Sequence, residues 1–255
     1  MNKNNDFVAT ADEGLASSAR VVKDPSRQRF VVLVANAKGG CGKTTMSTNL
    51  ASYYAHKGQP VTLLDMDPQQ SSNLWLRQRE RNGKDDIHGL TLPIDAHFNA
   101  SKLHAPIRES REYLVIDSPA GLSGPALDAL LRIAHVVLVP VLPSPIDIRA
   151  ATRFLQAIML SPEYRRRPRR LAVVANRARE RTRMYGQLQN FLNSLKIPFL
   201  VTLRDTQIYV QATGLGVGVA EIDEPTAKAD QNDWRRVAEW LEVQRHLVGA
   251  LPGFR

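Results

Sequence analysis

The sequence predicts an α/β fold in which a doubly wound, mostly parallel sheet carries helices on both faces. Three observations lead to this prediction. Short, nearly continuous apolar runs rich in β-branched residues recur along the chain, as expected for strands buried on both faces. Helical patterns separate these runs, and such alternation places parallel strands in one sheet. A glycine-rich stretch, residues 36–45, joins the first apolar run to the first helical pattern.

Six apolar runs are predicted to form buried strands, because they are too short for helices. They cover residues 30–35, 61–65, 113–117, 136–141, 171–175 and 199–203. A seventh run, residues 90–94, is a weaker prediction because a proline interrupts it.

Four helical patterns lie between or after these runs. They cover residues 44–57, 146–160, 184–195 and about 230–248. The first stops at Gly58, a residue typical of helix ends. In each of the other three the apolar side chains share one face. In residues 146–160 these are Ile148, Ala151, Leu155, Ile158 and Met159. In residues 184–195 they are Tyr185, Leu188, Leu192 and Leu195, and in the last pattern they are Trp234, Val237, Leu241 and Val248. The basic stretch 165–170 lies between a helix and a strand, where we expect a loop.

Length and composition narrow the class of protein. The 255 residues suffice for one α/β domain, which we place at residues 29–255, and we expect residues 1–28 to be a polar, disordered tail without the apolar core of a signal peptide. A single cysteine, Cys41, excludes a disulfide framework or a cysteine-built metal site within one chain and fits a reducing cytoplasm. No apolar run reaches the roughly 18 residues of a membrane-spanning helix, so we expect no integral membrane association.

The charge balance is strongly basic. The formal net charge is +9 and the isoelectric point is near 9.9. Such a balance favours an anionic partner, either nucleic acid or an acidic membrane surface. The composition fits equally well a protein that has no anionic partner and whose charge only keeps it in solution.

The glycine-rich stretch has the composition and the setting of a phosphate-binding loop (P-loop). Gly39, Gly40 and Gly42 allow backbone N–H groups to turn towards phosphate oxygens at the start of a helix. Lys43 would neutralise the β- and γ-phosphates, and Thr44 would place its hydroxyl on Mg²⁺. A glycine-rich turn without a ligand is the alternative, but strand, loop and helix in this order favour phosphate binding.

This loop departs from the common pattern G-x-x-x-x-G-K-[ST], because Ala37 stands where the first glycine belongs and a second lysine, Lys38, precedes the glycines. The segment KGGCGKTT, residues 38–45, resembles the deviant P-loop of the ParA/MinD ATPases at every position. The resemblance implies a P-loop ATPase domain that binds ATP and Mg²⁺. It assigns the nucleotide to Lys38, Gly39, Gly40, Cys41, Gly42, Lys43, Thr44 and Thr45.

In that family the first lysine reaches across a dimer that sandwiches two nucleotides, which is what the resemblance implies for Lys38. A cation supplied by the partner would stabilise the charge of the transferring phosphoryl group. It would also make dimerisation depend on ATP. We interpret Cys41 as a small filler at the variable position of the loop rather than as a nucleophile.

Two further segments resemble the same family over a region of about residues 30–245. LLDMDPQQSS, residues 63–72, is similar to the first switch, which implies that Asp67 orients the attacking water and that Asp65 lies near the magnesium. Alternatively, Asp67 and the following proline would start a helix. YLVIDSPAG, residues 113–121, is similar to the Walker B strand, so Asp117 would hold magnesium, although the family often has a proline pair where this chain has Ser118-Pro119.

Asn176, at the end of a predicted strand, matches a family position that contacts adenine. A cap at the strand end is an equally good interpretation. The chain lacks the N-K-x-D sequence of a guanine site, which favours ATP over GTP.

The resemblance also implies a function in which ATP acts as a timer. ATP-bound dimers bind a surface, and a ParB-like partner protein linked to a cargo stimulates a weak intrinsic hydrolysis. Eleven arginines between residues 149 and 183, against Glu163 and Glu180, favour non-specific DNA as that surface. Arg204, Arg235, Arg236 and Arg245 are further basic candidates. We therefore expect a cytoplasmic, nucleoid-associated ATPase that segregates or positions a plasmid, a chromosome or a protein assembly.

Two alternatives stay open from the sequence. A MinD-like membrane cycle would use residues 233–255 as an interfacial helix, although a terminal helix packed on the sheet fits this segment better. A metabolic ATP-dependent synthetase or amidoligase on the same fold would require a substrate pocket beside the γ-phosphate.

Overall fold

The computed structural model describes residues 29–167, 170–179, 182–194 and 197–249. The predictions for residues 1–28 and for Leu195, and that for the side chain of Leu192, lie outside this part of the chain.

Within these residues, seven strands form one sheet in which every neighbouring pair is parallel. They are β1 (Phe30–Val34), β2 (Val61–Asp65), β3 (Ile87–Thr91), β4 (Tyr113–Asp117), β5 (Val136–Val141), β6 (Arg170–Ala178) and β7 (Phe199–Arg204). Their spatial order is β3-β2-β4-β1-β5-β6-β7. The chain winds outward in both directions from the middle of the sheet, so the crevice at the carboxyl end of β1 lies at the topological switch point, where ligands bind in open α/β sheets.

Helices cover both faces of the sheet. They are α1 (Lys43–His56), α2 (Ser71–Arg81), α3 (His104–Glu109), α4 (Gly124–Ile133), α5 (Pro145–Leu160), α6 (Pro162–Arg166), α7 (Arg183–Ser194), α8 (Ile208–Gly214) and α9 (Lys228–Gly249). Short 3₁₀ turns occupy Ala100–Leu103, Val219–Glu221 and Pro225–Ala227.

The alternation of side chains along β1 divides the interior into two cores. Val32 and Val34 face one core, which contains the inner sides of α1, α2, α8 and α9. Val31 and Leu33 face the other, which contains those of α4, α5 and α7. Burial on both faces explains why β1, β2, β4 and β5 are apolar along nearly their whole length. The predicted doubly wound fold is confirmed.

The register of the central strands positions the site. Val34 of β1 lies beside Asp117 of β4, and Asp117 lies beside Asp65 of β2. Both aspartates therefore end their strands at one edge of the sheet, next to the loop that follows β1. The hydrophobic core fixes this alignment, because each of these three strands is buried over its full length.

Several details differ from the sequence predictions. The weak strand lies at Ile87–Thr91 rather than at residues 90–94, so Pro93 follows the strand and removes no bond within it. Met159 is 45% exposed although it was predicted on the buried face of α5, because the face that packs on the sheet is centred on Ala151, Leu155 and Ile158. Part of the basic stretch 165–170 is regular structure, since α6 ends at Arg166 and β6 begins at Arg170.

The last helix is packed against the sheet, as the sequence favoured. All four predicted apolar residues of α9 are buried, namely Trp234, Val237, Leu241 and Val248. The first three belong to the core that Val32 and Val34 of β1 face. The apolar stripe of α9 is thus buried in the core of the domain. Among the described residues, no helix is both long enough and apolar enough to cross a membrane.

Candidate functional site

The loop between β1 and α1 is held by the Asn36 side chain and by the backbone conformations of two glycines. Asn36 donates from Nδ2 to the carbonyl of Pro140 on β5 at 2.8 Å and accepts from the Lys38 amide at 3.1 Å. Gly40 and Gly42 have φ values of 74° and 97°, a region that L-residues rarely adopt. A Cβ at position 42 would also stand 1.9 Å from the Asn176 side chain, so only glycine fits there.

The two lysines of the loop have different surroundings. Lys43 is 7% exposed, and its Nζ donates to the Lys38 carbonyl at 3.1 Å, so it points back along the inside of its own loop. The Lys38 side chain is half-buried, and within the described ranges no carboxylate forms an ion pair with either lysine. Lys43 can therefore act on an anion in its own loop, and no described carboxylate neutralises the charge of Lys38.

Asp117 is the centre of the polar network below the loop. Thr44 and Ser72 donate to its Oδ2 at 2.8 Å and 2.6 Å, and Ser47 donates to its Oδ1 at 3.2 Å. The carboxyl group is 1% exposed. Burial raises the pKa of Asp117 to about 6, and the nearby Asp65 adds to this, whereas the hydrogen bonds from Ser72, Thr44 and Ser47 lower it.

This pair of oxygens fits the predicted magnesium. The Thr44 hydroxyl and the Asp117 carboxylate are hard oxygen donors 2.8 Å apart, at the phosphate end of the loop. Mg²⁺ prefers such ligands and usually keeps several waters, so one or two protein oxygens suffice. The described residues include no cluster of three or more His, Cys, Asp or Glu side chains that could hold a metal by themselves.

Asp65 is engaged by backbone groups. It is fully buried, and its two oxygens accept from the amides of Asp67 at 3.0 Å and Asn73 at 2.9 Å. Burial raises the pKa of Asp65, while these two amide bonds lower it. Asp65 thus fixes the turn after β2 and the first turn of α2. Its predicted position near the magnesium remains a prediction.

Asp67 lies on the wall of the cleft and is half-buried. Its Oδ1 accepts from the Gln69 amide at 2.9 Å, which closes a tight turn. The alternative that Asp67 starts the next helix is wrong, because α2 begins at Ser71 after Gln70, whose φ is 52°. That Asp67 orients an attacking water stays a prediction.

Asn176 supports the P-loop from below. It lies inside β6 rather than at its end, is 4% exposed, and donates from Nδ2 to the Cys41 carbonyl at 2.9 Å. The strand-end cap is therefore wrong, and contact with adenine stays a prediction. Cys41 is 1% exposed, and burial raises the pKa of its thiol, in keeping with a filler.

Seven of the predicted site residues line one open cleft of about 800 Å³, namely Gly39, Gly40, Gly42, Lys43, Thr44, Thr45 and Asp67. The other predicted residues, Lys38, Cys41, Asp65, Asp117 and Asn176, do not line it. Its walls come from the P-loop, from the segments after β2, β3 and β4, and from β6. The lining residues are Gly39, Gly40, Gly42, Lys43, Thr44, Thr45, Asp67, Pro68, Gln69, Ser71, Ile94, Pro119, Ala120, Gly121, Leu122, Ser123, Ala126 and Arg177. A volume of this size is within the range of small-molecule and cofactor sites.

Sequence reasoning missed three contributors to this site. Ser47 and Ser72 bond to Asp117, and Arg177 lines the cleft. Ser72 is the last residue of the segment that resembles the first switch. The sequence does not show that its side chain is buried, because this depends on the packing of α2. Ser47 lies one helical turn after Thr44, so a helix beginning at residue 43 would have brought both to one face.

A glycine loop at the switch point, a buried lysine beside it and a hydroxyl bonded to a strand-end carboxylate define a P-loop nucleotide-binding protein. The family model described as CobQ/CobB/MinD/ParA nucleotide binding domain matches residues 32–216. The chain belongs to this family, and the resemblance to the ParA/MinD ATPases is confirmed.

Individual relatives agree with this assignment. The "Maintenance of carboxysome distribution protein A" of Halothiobacillus neapolitanus is 31% identical over 199 residues, which cover 77% of this chain and 89% of that protein. Apo McdA of Cyanothece has a TM-score of 0.67 at 17% identity, covering 83% of this chain and 98% of that one. An ATP complex of a McdA variant from Cyanothece has a TM-score of 0.65 at 16% identity, covering 83% and 97%. These two structures share the fold.

Proposed function

We propose that this protein is a ParA-type ATPase that forms an ATP-dependent sandwich dimer, binds DNA without sequence preference and positions a cargo. The observation that carries the proposal is the second lysine, Lys38, which has no described carboxylate partner and lies in a P-loop that already contains Lys43. Within one subunit a single lysine suffices for the phosphates. The second lysine is therefore available to a nucleotide bound by another copy of the chain.

The chemistry within the cleft follows from the contacts. Lys43 and the loop amides bind the phosphates, and Thr44 and Asp117 provide the oxygens for Mg²⁺. Bound Mg²⁺ would neutralise charge on the β- and γ-phosphates. Asp67 orients the attacking water, and Lys38 of the second subunit stabilises the charge of the transferring group.

DNA binding is supported by the position of the arginines. Arg149, Arg153, Arg165, Arg170 and Arg183 are exposed on or next to α5, α6 and α7, without a described carboxylate partner. Their density suits phosphate backbones, which predicts strong salt dependence. The four further candidates have acidic partners, since Arg204 pairs with Asp230 and Arg245 with Glu112, and Arg235 and Arg236 lie 3.8 Å from acids of their own helix. Arg169 and Arg181 lie outside the described residues.

The cargo and partner follow by analogy. A protein assembly is supported by the 31% identical relative named for carboxysome distribution. A cargo-linked, ParB-like protein would stimulate hydrolysis and release the dimer from DNA. This cycle would associate the protein with the nucleoid in the cytoplasm.

The dimer is tested by light scattering of the purified chain with Mg²⁺ and a non-hydrolysable ATP analogue. We expect the unmodified chain to dimerise and Lys38→Ala to stay monomeric, with ATP turnover about 10³-fold lower. Lys102→Ala, which removes an exposed lysine far from the loop in sequence, is the matched control and should dimerise normally. Normal dimers from Lys38→Ala would refute the proposal.

ATP turnover with and without plain duplex DNA separates the ParA-type function from the metabolic alternative. Stimulation by DNA, lost at high salt, supports the proposal. Turnover that ignores DNA and requires a small acid substrate would instead indicate a synthetase or amidoligase.

A further inference from the structure

The strand β6 is irregular at the point where it passes the P-loop. Its pairing with β7 shifts register between Ala175 and Ala178, where β6 advances three residues while β7 advances two, from Thr202 to Arg204. One extra residue is thus inserted in β6 at Asn176–Arg177. Such bulges are found near active sites, where they change the direction of a side chain.

The backbone at the bulge is strained. Arg177 has a φ of 47°, and among the described residues only Gln70 shares a positive φ without being glycine. Gln70 lies between two cleft-lining residues, and Arg177 lines the cleft itself. Conformations of this kind persist only where the surroundings enforce them, and they concentrate at functional sites.

The bulge gives two consecutive side chains separate positions at one site. Asn176 is buried against the Cys41 carbonyl, whereas Arg177 is exposed and borders the nucleotide cleft. No carboxylate in the described part of the chain pairs with Arg177. Arg179, two residues later, does not line the cleft and forms an ion pair with Asp205 at 2.9 Å.

We propose that Arg177 binds the nucleotide, its guanidinium donating hydrogen bonds to phosphate oxygens from the β6 side of the cleft. The planar, permanently charged guanidinium matches phosphate geometry better than an ammonium does. Arg177 is then a cation of the same subunit, distinct from Lys38, and contributes to binding by the monomer. This inference rests on nucleotide binding in the cleft.

The test measures equilibrium binding of fluorescent ADP and ATP to the full chain, together with Tm. Arg177→Ala and Arg177→Gly are expected to weaken both nucleotides about 10-fold, and Arg177→Lys less. Arg177→Gly is the informative variant, because glycine accepts the positive φ and should raise Tm while binding falls. Arg179→Ala is the matched control and should bind as the unmodified chain does.

Three outcomes overturn the inference. If Arg177→Ala and Arg177→Gly bind within twofold of the unmodified chain while Lys43→Ala loses binding, Arg177 makes no nucleotide contact and the proposed function stands. If Arg177→Ala binds both nucleotides normally but loses binding to plain duplex DNA in a parallel titration, this arginine belongs to the DNA surface. If the unmodified chain binds no nucleotide, the proposed function fails and this inference fails with it.

Discussion

Replacing Asp117 with asparagine should make the nucleotide-free protein more stable at neutral pH, although it removes a proposed magnesium ligand. The introduced amide would be as neutral as a protonated carboxyl group and nearly the same shape. Its carbonyl oxygen can accept from the Thr44 and Ser72 hydroxyls that bond to Oδ2 of Asp117, and its NH2 group can donate to the Ser47 hydroxyl, which now bonds to Oδ1. The substitution therefore removes the buried charge and leaves the packing intact.

The size of the effect follows from the pKa. Burial raises the pKa of Asp117 from 3.8 to about 6, so the folded state binds the proton more tightly than the unfolded state does. The contribution of Asp117 to the stability of the unmodified chain should therefore rise as the pH falls from about 7 towards about 4. The gap between the two pKa values corresponds to about 3 kcal/mol above pH 6.

Urea unfolding followed by circular dichroism between about pH 4 and pH 8, without magnesium or nucleotide, measures this difference. Asp117→Asn should exceed the unmodified chain by about 3 kcal/mol near pH 7.5, and the difference should shrink towards zero near pH 4. Subtracting the two profiles removes the titration of all other groups. A difference that does not change with pH, or a less stable variant at neutral pH, would refute the reasoning.

Two further predictions concern glycine and arginine positions. Gly42→Ala should lose about 1–2 kcal/mol of unfolding free energy, because alanine disfavours the positive φ. The clash of its Cβ with Asn176 should lower the stability further and weaken ATP binding. Urea unfolding measures the stability, and binding of fluorescent ATP measures the affinity. Gly40→Ala, with no atom within 4 Å of its added Cβ, should show the φ effect alone, and equal losses would contradict the clash. Arg79→Met should lose about 3–5 kcal/mol in urea unfolding, because this 1% exposed guanidinium pairs with two carboxylates, one of them buried. Arg77→Ala, exposed on the same helix, should change little, and similar losses in both would exclude a special role for the buried pairs.

The central part of the fold was predictable because its strands are buried on both faces. A strand that is buried on both faces is apolar along its length, and the five central runs in the sequence have this pattern. The edge strand β3 was predicted three residues too late, since a half-exposed strand with Gly89 in its middle lacks that continuous pattern. The helix α2 was missed because it contains few apolar residues, and its buried face includes a charged residue, Arg79.

The site was predictable where backbone chemistry dictates the residue type. Glycines, lysine and threonine follow one another in the P-loop because amides, a cation and a hydroxyl must meet one phosphate group. The contribution of Ser72 could not be predicted, since it depends on how α2 packs against β4. Arg177 could not be predicted either, because a bulge in β6 depends on its pairing with β7.

The alignment of β2 with β4 has a consequence for how the site tolerates mutation. Asp65 and Asp117 are neighbours only while their two strands keep one hydrogen-bonding frame, and displacement by a single residue would exchange Asp65 for Met66 and invert every side chain of the strand. The apolar residues far below the cleft therefore determine where the carboxylates stand. Substitutions among them that leave a folded protein can still impair its chemistry, so inactive variants of this chain need not lie near the nucleotide.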